Sequence, residues 1–362
     1  MMRALAFFLA LLFLAAPAIA EWDDSQPAAE FIGGVVTLGQ LRKTCADVQE
    51  IAGALTQETI QELLEALVEQ AVIELKQREY GVYDLDVDVQ LRLRHEADSQ
   101  YAIMAADYGA DYLAAQGVSA EWIYDDLAAQ LRQEALKDAV TSDITVSDDD
   151  VRAGYEARAA AQETEFGLDP ISYDMALMDG EMIFYNPPGY RRVQAILLAF
   201  DAEAQAEYDA LAREMESAGD SVRIQELLAA MDGLYATPLR TAEKLIERLN
   251  AGEEFAGIQA AYSGDACGEY VVGPESAQYG DEFRDAAMAL ETVGDISGVV
   301  YSDWGVYILR YSGDVETGRV EYSEVEPLLR QAIETEARNA AYGAQVEKWL
   351  EEAEIVYYTD RF

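Results

Sequence analysis

The sequence predicts an α+β protein: a mainly helical N-terminal domain completed by the C-terminal helix, and between them a unit in which helices surround a small antiparallel sheet. Three observations carry that prediction. Apolar residues recur at three- and four-residue steps near both ends of the chain, which places them on one face of a helix. Residues Arg191 to Phe200 and Val306 to Tyr311 alternate instead, with the period of a strand. The stretch Gly294 to Tyr311 reads as a hairpin: a short strand ending near Tyr301, a tight Asp303-Trp304-Gly305 turn and a second strand, built to present side chains at its tip and along one face.

The chain opens on Met1-Met2-Arg3, an apolar run from Ala4 to Ala16 and the small-residue site Ala18-Ile19-Ala20, the pattern of a secretory signal peptide cleaved after Ala20. That run is shorter than the roughly 20 residues that span hydrocarbon. No later segment is apolar enough to cross a membrane, so an exported chain is expected in a periplasm, cell envelope or medium. Glu21 to Gln26 gives a flexible start, and Val35 to Leu38 leads into a helix over Leu38 to Ala52. The next helix carries Ile60, Leu63, Leu64, Leu67, Val68, Ala71, Val72 and Leu75 inward, with Thr59 and Glu62 as a capping box and Gly81 at its C-cap.

Helical patterns follow from Leu85 to about Gln116, polar enough to be mostly solvated, and from Ala120 to Val140. Ser147 caps another helix, and Asp148, Asp149 and Asp150 fall in its first turn, where the helix dipole favours them. This acidic run lacks the glycine and terminal glutamate of a calcium loop, so no metal is expected there, and no cofactor elsewhere. Glu163 to Gly189 shows no clear period and ends in Tyr185-Asn186-Pro187-Pro188-Gly189, a natural boundary. After the Arg191 strand come helices over Ala202 to Ser217, Ser221 to Met231 and Leu239 to Asn250, then short ones over Phe255 to Ala261 and Phe283 to Leu290. A helix from Glu324 to Glu352 and a strand from Ile355 to Tyr358 close the chain. An amphipathic helix of that length needs a packing partner in water, and the N-terminal helices supply it. The expected division is a signal peptide over 1–20, a helical domain over 21–188, a second domain over 189–315 with an insertion at about 201–238, and a return to the first domain over 316–362.

At 362 residues the chain holds two domains of ordinary size. Its 69 acidic and 25 basic residues give a net charge of -44, which repels nucleic acid and anionic lipid and excludes both as partners. Cys45 and Cys267 are the only thiols; export permits a bridge between them, and two free thiols fit the sequence equally well.

Several segments in order, Arg191 to Leu198, Leu249 to Phe255, Tyr262-Ser263-Gly264-Asp265, Phe283 to Leu290, Gly294-Asp295-Ile296-Ser297 and Trp304 to Leu309, resemble a parvulin-type peptidyl-prolyl isomerase domain, PpiC or rotamase. The similarity covers roughly Gly189 to Ser312, interrupted by the insertion from about Asp201 to Pro238. The flanks resemble the exported foldases SurA and PrsA, in which a helical domain built from both chain ends carries the parvulin unit; Ile144 to Tyr155 matches their pattern.

The resemblance implies a proline-accepting pocket with Phe283 and Tyr279, an acid at Asp265, and two facing histidines at the positions held here by Tyr307 and Ala195. The only histidine, His95, matches neither. A Tyr307 hydroxyl able to reach Asp265 would restore part of the site, and weak or absent catalysis is expected. Each residue also has a plain local reading: Asp265 begins a loop, Phe283 starts an apolar helical stripe, and Tyr307 sits between strand valine and isoleucine. The resemblance thus implies a chaperone or foldase for unfolded or nascent exported polypeptides with a degenerate site. An active isomerase, and a secreted binding module for one fixed partner, are the alternatives.

Overall fold

A computed structural model describes residues 22–362. The expected signal peptide and its cleavage site, residues 1–20, lie outside the described residues. In chain order the elements are β1 (Pro27–Phe31), β2 (Gly34–Thr37), α1 (Leu38–Ala52), α2 (Gln57–Glu79), α3 (Val87–Tyr108), α4 (Ala110–Ala115), α5 (Ala120–Thr141), α6 (Asp148–Leu168), α7 (Pro170–Met178), β3 (Tyr185–Asn186), β4 (Arg191–Ala199), α8 (Ala202–Ser217), α9 (Ser221–Leu234), α10 (Ala236–Asn250), α11 (Phe255–Tyr262), β5 (Glu269–Val272), α12 (Asp281–Met288), β6 (Val300–Ser302), β7 (Gly305–Asp314), β8 (Gly318–Arg319), α13 (Tyr322–Glu352) and β9 (Val356–Tyr357). The chain is α+β, as expected: helices with small antiparallel sheets. Among the described residues no helix is long and apolar enough to cross a membrane.

Contacts divide the chain into two compact units, one ending at Val146 and resuming at Ala332–Phe362, the other Ser147–Gln331. In the first, β1 lies between β2 and β9, antiparallel to both. Its core joins Ile60, Leu64, Val68 and Val72 of α2 to Val346, Trp349 and Ala353 at the C-terminal end, so the last helix does close the domain begun by the first ones. The cap of α2 is Thr56, whose hydroxyl accepts from the Thr59 N–H, in place of the expected Thr59–Glu62 box; Gln57 and Glu58 are good enough helix formers to start the helix three residues earlier. Ser147 forms the expected cap of α6, with Asp150 answering it in a capping box. Both thiols are free, Cys45 buried and Cys267 exposed.

Residues 147–188, assigned by sequence to the helical domain, cluster with the second unit. The reason is packing: Phe166, Tyr173 and Ala176 bury themselves against Tyr190 and Val315. The segment without a visible period is also more ordered than expected. Asp169 caps α7 and Pro170 occupies its first turn. Apolar residues on α7 point both ways, Tyr173 and Ala176 buried while Ile171, Met175 and Met178 stay exposed, which erases a one-faced pattern.

The second unit is organised by a four-stranded antiparallel sheet ordered β5-β4-β7-β6. Alternation sends Val193, Ala195 and Leu197 of β4, with Tyr307, Leu309 and Tyr311 of β7, to one face, where α12 covers them with Phe283 and Ala287. Ile196, Leu198, Val306 and Ile308 face the other side, under Tyr208, Met231, Tyr235, Leu245, Leu249 and Ile258 of α8 to α11. Arg191, at the start of β4, donates from one guanidinium nitrogen to the carbonyls of Ala287, Met288 and Leu290 at the end of α12. A cation there satisfies carbonyls left open by the helix end and opposes its dipole. Arg191→Met therefore loses about 1.5–3 kcal/mol of stability, the range for hydrogen bonds to charged groups; urea denaturation followed by circular dichroism measures it, and an unchanged midpoint would show that the arginine does not hold the helix.

Candidate functional site

The site lies on the sheet face under α12. Phe283, 2 % exposed, is its centre: its ring centroid is 5.1 Å from Tyr307 at 88°, 5.3 Å from Tyr270 at 70° and 5.3 Å from Tyr279 at 42°. The contacts with Tyr307 and Tyr270 are edge-to-face, setting the positive edge of one ring against the negative face of the next, which fixes ring orientation, while Tyr279 is tilted. With Gln278 and Trp304 these residues line a cleft of about 260 Å³. That is under the roughly 300–1,000 Å³ of pockets for drug-sized ligands, a size suited to a single side chain.

Each wall has its own support. Tyr307 comes from β7 and Tyr270 from β5, both held through β4, on which Leu197 pairs with Tyr307 and Val193 with Tyr270. Gln278 and Tyr279 lie in the segment between β5 and α12. Trp304 stands at the tip of the β6–β7 hairpin, between Ser302 and Gly305. The tip is held by the helices that follow β4: Tyr208 donates to Asp303 Oδ1 at 2.6 Å, Gln205 to the Asp303 carbonyl at 3.0 Å, and Tyr235 to the Ser302 carbonyl at 2.9 Å.

Asp265 sits in the loop after α11, which is stitched to β4. The Ser263 hydroxyl accepts from the N–H groups of Leu197 and Asp265, the Gly264 N–H donates to the Leu197 carbonyl, and Gln259 spans the carbonyls of Ala195 and Gly268. The Asp265 carboxylate accepts from the Cys267 N–H at 2.8 Å through Oδ1 and from the Tyr270 hydroxyl through Oδ2. Burial pushes the Tyr270 phenol far above its ordinary range, and the bond to Asp265 adds to the shift. Burial also raises Tyr307, with the Asp265 charge second, and it raises Tyr279. The phenols of the cleft are therefore neutral donors at any physiological pH.

The structure brings Tyr279, Phe283 and Tyr307 into one cleft, with Asp265 at its edge through Tyr270. The hydroxyl expected from Tyr307 is supplied by Tyr270. Ala195 is fully buried in the same face as Tyr307 and puts no polar group there. His95 is exposed on α3, in the other unit. Tyr270, Gln278 and Trp304 were not singled out as site residues by sequence reasoning. For Tyr270 a clue existed in the run of strand-favouring residues Tyr270-Val271-Val272 just beyond Asp265; for Trp304 it was the hairpin tip itself. Among the described residues no group of three or more His, Cys, Asp and Glu is placed to hold a metal ion.

The raised phenols set a pH response. Below the unfolded phenol value of about 10 the folded and unfolded chains bind the same phenolic protons; above it the unfolded chain releases protons that the folded chain keeps, so stability falls as pH rises. The ultraviolet difference between the protein and its Tyr270→Phe variant should show no phenolate from Tyr270 near pH 10 and should gain it only as circular dichroism is lost. Ordinary titration of Tyr270 in the folded protein would contradict the bond to Asp265.

No family model matches the chain. The foldase protein PrsA of Clostridium botulinum is 22 % identical over 309 residues, 82 % of this chain and 73 % of that protein. The foldase protein PrsA 4 of Bacillus cereus is 35 % identical over 100 residues, 26 % of this chain and 34 % of that one. The crystal structure of PrsA from Bacillus subtilis matches at 21 % identity, covering 94 % of this chain and 99 % of that chain with a TM-score of 0.30. The chain is thus similar in sequence to PrsA foldases over four fifths of its length.

Proposed function

We propose that this protein is an exported folding factor that holds unfolded or proline-containing polypeptides in the cleft around Phe283, with little or no isomerase turnover. The observation that carries the reading is the makeup of the cleft: aromatic rings on most sides, and Tyr307 and Ala195 at the two positions where the parvulin family carries histidines. Similarity to proteins called foldases supports the same class. Export rests on the leader pattern of residues 1–20.

The physical argument runs from the reaction. Rotation about an X-Pro bond breaks no covalent bond but crosses a barrier of roughly 18–20 kcal/mol, lowered only by groups that favour the twisted amide over the planar one. Aromatic faces hold a proline ring in either isomer, which is binding without discrimination. The one acid, Asp265, already accepts from Tyr270 and from the Cys267 N–H, so both of its oxygens are engaged. What is left is a box of neutral rings, its one carboxylate already tied up, suited to gripping.

Exchange NMR on a short Phe-Pro peptide tests this. Binding should shift the proline resonances without cis/trans exchange cross peaks, and Tyr279→Ala should weaken it about tenfold, the equivalent of 1.4 kcal/mol. Exchange peaks that vanish in Asp265→Ala would instead make the protein an isomerase. In a parallel assay the protein should suppress aggregation of unrelated clients; failure there, with one tight partner recovered, would point to a dedicated binding module.

A further inference from the structure

The six side chains that line the cleft are not held alike. Phe283 and Tyr307 are buried, Tyr270, Gln278 and Tyr279 are half-buried, and Trp304 alone is exposed, with 53 % of its surface open. The wall segment with Gln278 and Tyr279 is anchored at a buried serine: the Ser276 hydroxyl donates to Asp174 Oδ1 on α7 at 3.0 Å and accepts from the Gly273 N–H at 2.8 Å. Trp304 is placed instead by the turn that carries it. Its carbonyl accepts from the Phe200 N–H at 2.9 Å, and the two residues before it, Ser302 and Asp303, take the bonds from Tyr235, Tyr208 and Gln205. Those three donors all belong to the 201–238 insertion. The phenol rings among them are set by packing: Phe200 lies 5.5 Å from Tyr208 and 5.0 Å from Tyr235, and Tyr235 meets Tyr301 of β6 edge-on at 5.0 Å and 84°. Tyr208 and Tyr235 are both buried, so their hydroxyls find partners on the hairpin tip and not in water.

A cleft of about 260 Å³ is filled by one side chain. With a proline ring on the buried floor, the next residue of the ligand is carried to the rim, where the exposed ring is Trp304. An open indole offers a large apolar face, and it pairs best with another large ring. We infer that Trp304 is the specificity-determining residue of the cleft, selecting a large apolar residue beside the proline, and that Tyr208 and Tyr235 of the insertion are positioning residues that hold it at the rim. The insertion thereby acquires a role in recognition although none of its side chains lines the cleft. This rests on the peptide-binding reading above and narrows the ligand to a proline with an aromatic neighbour.

The test compares three capped peptides, Ala-Ala-Pro-Ala, Ala-Phe-Pro-Ala and Ala-Ala-Pro-Phe, by calorimetric titration of the whole protein. One of the phenylalanine peptides should bind about fivefold more tightly than Ala-Ala-Pro-Ala, the effect of one aromatic pair. Its binding should also shift the emission of Trp304 to the blue, read as the difference between the protein and its Trp304→Phe variant. The double variant Tyr208→Phe/Tyr235→Phe keeps both rings and removes the hydroxyls that hold the tip. It should bind all three peptides within a factor of about two of one another, with the affinity for Ala-Ala-Pro-Ala retained because the floor is untouched; general damage to the fold would lower all three together. Trp304→Ala should give the same loss of discrimination if the double variant does not fold. Equal binding of the three peptides by the unmodified protein overturns the inference, as does discrimination that survives in Trp304→Ala or in the double variant. Binding of none of the three removes the peptide-binding reading itself and the inference with it, a distinct outcome.

Discussion

Because side chains alternate across a strand, the seven consecutive pairs from Val193–Tyr311 to Ala199–Gly305, beyond a bulge at Ser312, decide which residues of β4 and β7 face which of two cores. A slip of one residue would send Tyr307 under α10 and put Ile308 into the cleft. The register is pinned at the hairpin end by Gly305, whose φ is 135° and where a Cβ would sit 2.2 Å from the Leu198 carbonyl oxygen. No other residue combines that backbone angle with that approach. The aromatic cluster, the hairpin tip and the Asp265 loop all hang on this pair of strands.

Replacing imidazole by phenol changes the electrical character of such a site. A histidine alters its charge near pH 6.5, whereas the phenols here stay neutral well past their ordinary range because burial holds the protons on. In a chain with net charge -44, the cleft is walled by neutral rings, with the Asp265 carboxylate at its edge. The wider negative field attracts cations and is screened by salt.

The helices and the central strands were legible because each has one dominant face: the stripe on α2 and the alternation in β4 and β7 are set by burial against a single core. Pairings between distant parts of the chain were not. The short strands β1, β3, β5 and β8 carry too few residues for a period, and they are strands because β2 and β9, β4, and each other supply partners. α7 hid for the opposite reason, apolar on both sides. The family resemblance pointed to Phe283, Tyr279, Tyr307, Ala195 and Asp265, but not to Tyr270, since a hydroxyl donor from a neighbouring strand is visible only when β5 is laid beside β4. Asp174 was invisible in sequence as a partner of a serine 102 residues away.

The hairpin tip is held by Tyr208, Gln205 and Tyr235, none of which lines the cleft, while the floor is held by rings that pack on one another. Mouth and floor share the β4–β7 pair but are otherwise held by different side chains. Changes in α8 and α9 can re-aim Trp304 and leave the buried rings as they are. The rim is thus adjustable from residues that do not line the cleft, much as a lens is refocused by its mount.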